Sequence, residues 1–351
     1  MAKEAVTTVQ CAASKCDVVV CCVGLLHRVA PGLVEQVVNK AAFMPPWPPG
    51  YHVTEEQQVY LIEADYGLMP MPDLSPEGVA VEPVRMTTRR GNSIPGFHFR
   101  HGGASRRTLI FSHGNGTDIG IMFRRLKELA VKLEIDAFAY EYSGYGESSG
   151  SPSEEDLYAD IEAAYEYLTD TCGVPAASII CYGQSIGSVP SIDLATKHEV
   201  GGVIVHSGLT SGFGVLLDVR EAYAYDVFQN LKKIRQVSAP VFIIHGTHDI
   251  EVPFEHGAAL FEACRPGVAY EPWWVQGGGH NDIDVCFRAH YFERLADFLK
   301  ALDEERESPG CQDGDSSGEV YEIKAAHHRG RGDDILDTST DMLLPKRSRA
   351  S

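Results

Sequence analysis

The chain has 351 residues, room for one large domain with extra segments or for two modest ones, and its 44% hydrophobic content and 34 glycines suit a globular α/β protein with many tight turns. A formal charge of -19 argues against a nucleic-acid binder, because a phosphate backbone needs clustered Lys and Arg. No apolar run of about 18 residues occurs, so nothing reads as a membrane-spanning helix.

Residues 1–42 form an apolar leader that carries Cys11, Cys16, Cys21 and Cys22. Its stretch Val18-Val19-Val20-Cys21-Cys22-Val23-Gly24-Leu25-Leu26 has the look of a signal-peptide core. However, Lys3 and Lys15 are cancelled by Glu4 and Asp17, and no Ala-x-Ala cleavage site follows. Cysteines embedded in a short apolar segment near a terminus suit S-acylation instead; an unmodified, frayed terminus is the alternative. The other cysteines, Cys172, Cys181, Cys264, Cys286 and Cys311, are scattered, and the total of nine is odd. That distribution reads as reduced thiols of a cytosolic protein, with Cys181 a small buried hydrophobe.

Pro45, Pro46, Pro48 and Pro49 then make a stiff connector around Trp47. Residues 79–100 hold two strand-like runs about the turn Arg90-Gly91-Asn92, a predicted hairpin. Strands and helices alternate from there: strand 108–112, helix 121–133, strand 137–142, helix 154–168, strand 178–182 and helix 188–198. The series continues with strands 202–206 and 241–245, helix 255–264, strand 270–275 and helix 285–302. Such alternation predicts an α/β domain over 43–302, a mostly parallel twisted sheet with helices on both faces. Residues 207–230 are too long for an ordinary connection and read as a small cap insertion. Its Phe213, Leu216, Leu217, Tyr223, Tyr225 and Phe228 either line an acyl groove or pack the cap onto the sheet. Beyond 303 the composition turns polar and acidic, a disordered tail through 351 that ends without a prenylation box.

Chemistry concentrates at three strand ends. Gly183-Gln184-Ser185-Ile186-Gly187 follows an apolar strand and precedes a helix, the pattern of the nucleophile elbow of α/β-hydrolases. Side chains at 183 and 187 would clash in so sharp a turn, and Ser185 is pushed into a strained, exposed conformation. A serine hydroxyl needs a base to take its proton, and that base needs a carboxylate to fix its tautomer. The exit of strand 241–245 delivers Asp249, and Gly277-Gly278-Gly279-His280 after the next strand delivers an imidazole, in the chain order Ser, Asp, His. Attack creates an oxyanion that backbone N–H groups must receive. One is the amide of Ile186; the second is assigned to Asn115 in the loop His113-Gly114-Asn115-Gly116, with Gly116 as fallback.

Neighbouring residues have blander readings. His248 is an exposed loop residue, His113 supports its loop, and Asp282 and Asp284 are helix N-cap and first-turn groups. The turn Tyr142-Ser143-Gly144-Tyr145-Gly146 either borders the site or is an ordinary strand-end turn. His327 and His328 offer no metal framework, so neither metal nor cofactor is expected.

Ser112-His113-Gly114-Asn115-Gly116, Tyr142 to Gly146, Tyr182 to Gly187, His245-Gly246-Thr247 with Asp249, and Gly279-His280-Asn281-Asp282 together resemble the α/β-hydrolase-domain-containing protein 17 family. Ala42-Phe43-Met44-Pro45-Pro46 is similar to that family's apolar-Pro-Pro segment, and the likeness spans about 42–302. The resemblance implies a membrane-attached serine hydrolase that removes palmitate from cysteines of other proteins, with Ser185, Asp249 and His280 as nucleophile, acid and base. Cys11, Cys16, Cys21 and Cys22 would be its acylated anchor on the cytoplasmic face of plasma or endosomal membranes, and S-palmitoylated membrane proteins its substrates. The chain departs from the family in having only Cys21 and Cys22 adjacent, and in its tail. Within enzymes, a general carboxylesterase or monoacylglycerol lipase is the rival, since thioesters and oxygen esters share tetrahedral chemistry. A non-catalytic scaffold is the rival outside them. A serine peptidase is disfavoured, because no propeller or gating domain precedes the core.

Overall fold

Runs rich in Val, Ile and Phe become strands whose alternate side chains serve two cores. In a computed structural model of the chain, residues 39–40, 42–54, 56, 58–63, 67–103, 107–217 and 226–307 are described. The leader cysteines, cap residues 218–225 and residues from 308 on lie outside the described residues, whereas 303–307, expected as the start of the disordered tail, continue a helix in which Asp303 pairs with Arg107.

The main sheet contains β4 (Val79–Thr87), β5 (Ser93–His101), β6 (Thr108–Ser112), β7 (Asp136–Tyr140), β8 (Ile179–Gln184), β9 (Gly202–His206), β10 (Val241–Gly246) and β11 (Trp273–Val275). Their order is β11-β10-β9-β8-β6-β7-β5-β4. β6 to β11 pair in parallel, while the β4–β5 hairpin joins antiparallel through β7. Because strand side chains alternate, Ile110, Cys181, Val203 and Ile243 enter one core, and Leu109, Phe111, Ile180, Ile204 and Phe242 enter the other.

Helices cover both faces. α1 (Phe123–Leu133) and α8 (Arg288–Glu307) bury Leu126, Leu129, Leu295 and Phe298 on one side. α2 (Glu154–Glu166), α3 (Ser188–Lys197) and α6 (Phe254–Ala263) bury Leu157, Ile161, Ile192 and Leu260 on the other. Ser153 caps α2 by accepting from Asp156 N–H, with Glu154 and Glu155 in the favourable first turn. The insertion expected over 207–230 contains α4 (Gly212–Leu217), and α5 (Asn230–Lys233) starts at its last residue.

Several boundaries differ from the sequence expectation. The strand expected over 270–275 shrinks to Trp273–Val275: Tyr270 N–H still bonds Val241 O, but Pro272 has no N–H to continue the ladder. The helix expected over 285–302 is two, α7 (Ile283–Cys286) and the longer α8, broken at Phe287. α2 passes into a π-turn over Tyr167–Thr171, which stacks Tyr167 on Phe138. An unanticipated three-stranded antiparallel sheet, β1 (Tyr51–Val53), β2 (Val59–Glu63) and β3 (Gly67–Pro70), follows the proline-rich connector. Among the described residues, no helix is long and apolar enough to cross a membrane, and no cluster of side chains suits a metal. Cys172, Cys181, Cys264 and Cys286 are free thiols, and burial pushes Cys181 up to about 12, an inert group.

Candidate active site

β8 ends directly beneath Ser185, and the two flanking glycines have the steric role their spacing suggests. A Cβ on Gly183 would overlap the Gly187 carbonyl, and one on Gly187 would overlap that of Ser112. Ser185 has φ 52, left-handed backbone that a side-chain-bearing residue adopts only when its surroundings impose it. Across residues 178–195 every residue is buried except Ser185. The turn thus lifts one hydroxyl out of the core.

Two later strand ends bring its partners. Asp249 follows β10 and His280 follows β11. His280 Nε2 lies 3.0 Å from Ser185 Oγ, and His280 Nδ1 lies 2.7 Å from Asp249 Oδ2. Asp249 Oδ1 accepts from the backbone N–H of Glu251 (3.0 Å) and Val252 (2.8 Å). His245 Nε2 sits 3.3 Å from Oδ2 and 2.8 Å from Val252 O. Burial alone would raise the Asp249 carboxyl, but the His245 and His280 contacts and the Val252 N–H outweigh it and hold the group well below the usual carboxylate range. An ionised Asp249 only accepts, so His280 carries its proton on Nδ1 and leaves Nε2 free to receive that of Ser185.

The loop after β6 passes against the nucleophile: a Cβ on Gly114 would stand 3.8 Å from Ser185 Cβ. His113 anchors this loop, with Nδ1 2.9 Å from Gly114 O and Nε2 2.8 Å from Glu141 Oε1. Both are fully buried, and burial raises the Glu141 carboxyl against the opposing pull of His113. Tyr142 OH donates to His113 O at 2.6 Å, so the glycine-rich turn after β7 does border the site. His248 is exposed, as expected. Asp282 occupies the N-cap position of α7 but makes no side-chain cap bond; its Oδ1 accepts from Gly279 N–H at 2.8 Å, bracing the loop before His280. Asp284 pairs with Arg125, which also donates to Gln184 beside the nucleophile. In the cap, Phe228 is buried and joins the core on one face of the sheet, and Phe213 is buried; Tyr223 and Tyr225 lie outside the described residues.

Glu141, Arg125 and His245 escaped the sequence reading. Glu141 carried a faint signal, a carboxylate directly after an apolar strand, while His245 reads as part of the apolar run it ends.

Comparison with known proteins fits this geometry. The chain is 43% identical over 270 residues to alpha/beta hydrolase domain-containing protein 17B of Xenopus laevis, covering 75% of this chain and 91% of that one. It belongs to the α/β-hydrolase domain-containing protein 17 family. The chain is also 42% identical over 271 residues to alpha/beta hydrolase domain-containing protein aho-3 of Caenorhabditis elegans, covering 77% of this chain and 79% of that one. Family models match in two pieces, the Chlamydia CHLPS protein (DUF818) over 98–202 and the prolyl oligopeptidase family over 207–304. The fold is shared with an esterase of Pyrococcus furiosus at 18% identity and TM-score 0.56, over 74% of this chain and 97% of that one. As a member of the 17 family, the chain is a serine hydrolase of the α/β type.

Proposed function

We propose that the chain is a palmitoyl-protein thioesterase in which Ser185 is the nucleophile, His280 the general base and Asp249 the acid. The observation that supports it most is the unbroken run of hydrogen-bond distances from Ser185 Oγ through His280 to Asp249. Ser185 Oγ attacks the thioester carbonyl carbon as its proton passes to His280 Nε2. The carbonyl oxygen becomes an oxyanion received by the N–H groups of Ile186 and Asn115. Collapse breaks the C–S bond, His280 returns the proton to the departing sulfur, and an acyl-Ser185 ester remains. Water then attacks that ester with His280 as base, releasing the fatty acid and restoring the serine.

The Cys-bearing leader supports the choice of an acylated, membrane-associated substrate, since an S-acylated enzyme meets acylated proteins on the same surface. A thiolate, of pKa about 8.5, leaves far more readily than an alkoxide, so the chemistry itself favours thioesters. The test compares a palmitoylated cysteine peptide with its matched serine oxygen ester, together with labelling by a fluorophosphonate. Wild type should cleave the thioester at least tenfold faster. Ser185→Ala should lose labelling and about 10⁴- to 10⁶-fold in turnover. A preference for the oxygen ester would make the chain a carboxylesterase or lipase, and undiminished labelling of the mutant would remove Ser185 from the chemistry.

A further inference from the structure

Ala42-Phe43-Met44 reaches the mouth of the site ahead of β1, the first strand among the described residues. Asn115, whose amide is the second oxyanion donor above, commits its entire side chain to this neighbourhood. Nδ2 donates to Ala42 O at 2.8 Å; Oδ1 accepts from Met44 N–H at 2.9 Å, from Tyr145 OH at 2.6 Å and from Gly116 N–H at 3.1 Å. Met44 N–H also lies 3.0 Å from Tyr145 OH. Phe43 is buried, its ring edge-on to Tyr145 at 6.4 Å and to Phe228 of the cap at 5.8 Å. Phe228 is itself held, at φ 57, by its N–H donating to Glu154 Oε1 at 2.9 Å.

Contacts of this kind usually just seal the edge of a fold. Here the polar ones converge on the loop whose Gly114 lies against Ser185. A carbonyl oxygen has two lone pairs, so an Oδ1 receiving three donors, with Nδ2 tied as well, has no freedom to turn. The orientation of the 114–115 peptide therefore follows the position of residues 42–44. We propose that Ala42-Phe43-Met44 is a positioning element of the site: by clamping Asn115 it aims the N–H that receives the oxyanion. The junction between leader and hydrolase domain then sets turnover as well as location. This rests on the assignment of Ser185 and Asn115 made above.

Loss of one oxyanion donor costs about 10²- to 10³-fold in kcat, and a loosened one costs part of that. The experiment uses the full chain in detergent micelles with a soluble p-nitrophenyl ester, so that membrane residence plays no part. Phe43→Ala should lower kcat about 10- to 100-fold with KM within about twofold, and Phe43→Leu should restore most of it. Met44→Pro, which deletes one exposed donor and no core packing, should also lower kcat and serves where Phe43→Ala folds poorly. The double variant Phe43→Ala/Asn115→Ala should be no slower than Asn115→Ala, because both remove one device. Changing the four leader cysteines to Ser should leave this soluble-ester rate alone. Amide hydrogen exchange over residues 113–117 should accelerate in Phe43→Ala, a readout that needs no turnover. Wild-type kcat in a folded Phe43→Ala, losses that multiply in the double variant, or unchanged exchange would each overturn the clamp. Full turnover by Ser185→Ala would instead overturn the nucleophile assignment and leave hydrogen exchange to decide the clamp.

Discussion

Asp249 is held by more donors than a carboxylate needs merely to orient one imidazole. Its two oxygens receive His280, the Glu251 and Val252 amides, and a longer contact from His245, and together they keep it ionised despite burial. A folded pKa below the unfolded value near 3.9 means the group adds stability above about pH 4, and that this is lost as pH falls through the folded value. Asp249→Asn keeps the shape and removes the charge. At pH 7 it should unfold at lower denaturant than wild type, and the gap should narrow as pH drops below about 4. The amide also presents the wrong tautomer partner to His280, so kcat should fall by about 10⁴-fold. Stability curves for both proteins at pH 7 and pH 3.5, with ester turnover at pH 7, check this. A gap that widens in acid would show that the carboxylate is not the group being stabilised.

Between elements, Arg125 joins three pieces of the site that no local pattern connects. From α1 its Nε donates to Asp284 Oδ2 at 2.5 Å in α7, just past His280, and its Nη1 donates to Gln184 at the elbow. Arg125 and Asp284 are about 15% exposed, so removing one partner strands a desolvated charge. Arg125→Met should cost about 3–5 kcal/mol, and adding Asp284→Leu should return most of it, since an apolar pair replaces a buried ion pair at little cost. Turnover should not return with it, because Gln184 still lacks its tie. Denaturation midpoints and kcat for the single and double variants separate the two effects; a double variant as active as wild type would make Arg125 a stability residue alone. The same comparison shows what a sequence exposes. Ser185, Asp249 and His280 were legible because each follows an apolar strand, and glycines mark two of those turns and begin the third. The parallel sheet was legible because its strands are buried on both faces. Arg125 to Gln184 and His113 to Glu141 were not, since a buried polar pair across elements has no period and is defined only once the chain has folded. The β1–β3 sheet was hidden for another reason: its strands are three to five residues long and follow a proline-rich run.

For the molecule as a whole, charge decides how it could stay on a membrane. The chain carries a net -19, while the leader 1–42 holds four basic and three acidic residues, so no polybasic segment offsets an anionic leaflet. We propose that attachment comes from acyl chains at Cys11, Cys16, Cys21 and Cys22, which would anchor the enzyme on the cytoplasmic face. A single chain gives an association constant of only about 10⁴ M⁻¹, and two give stable residence. Changing all four cysteines to Ser should move the protein to the soluble fraction. Retaining only Cys21 and Cys22 should hold it on membranes, and retaining any one should leave it divided between fractions. Salt supplies an independent sign. A basic anchor weakens as ionic strength rises, whereas here an acidic body is repelled by the lipid surface, so screening should increase the bound fraction of the single-cysteine variants on anionic vesicles. Fractionation of the six leader variants, followed by vesicle sedimentation between low and physiological salt, measures both. A four-serine variant that stays with membranes would remove acylation as the anchor, and binding that falls with salt would point to an electrostatic contact that the leader's composition does not supply.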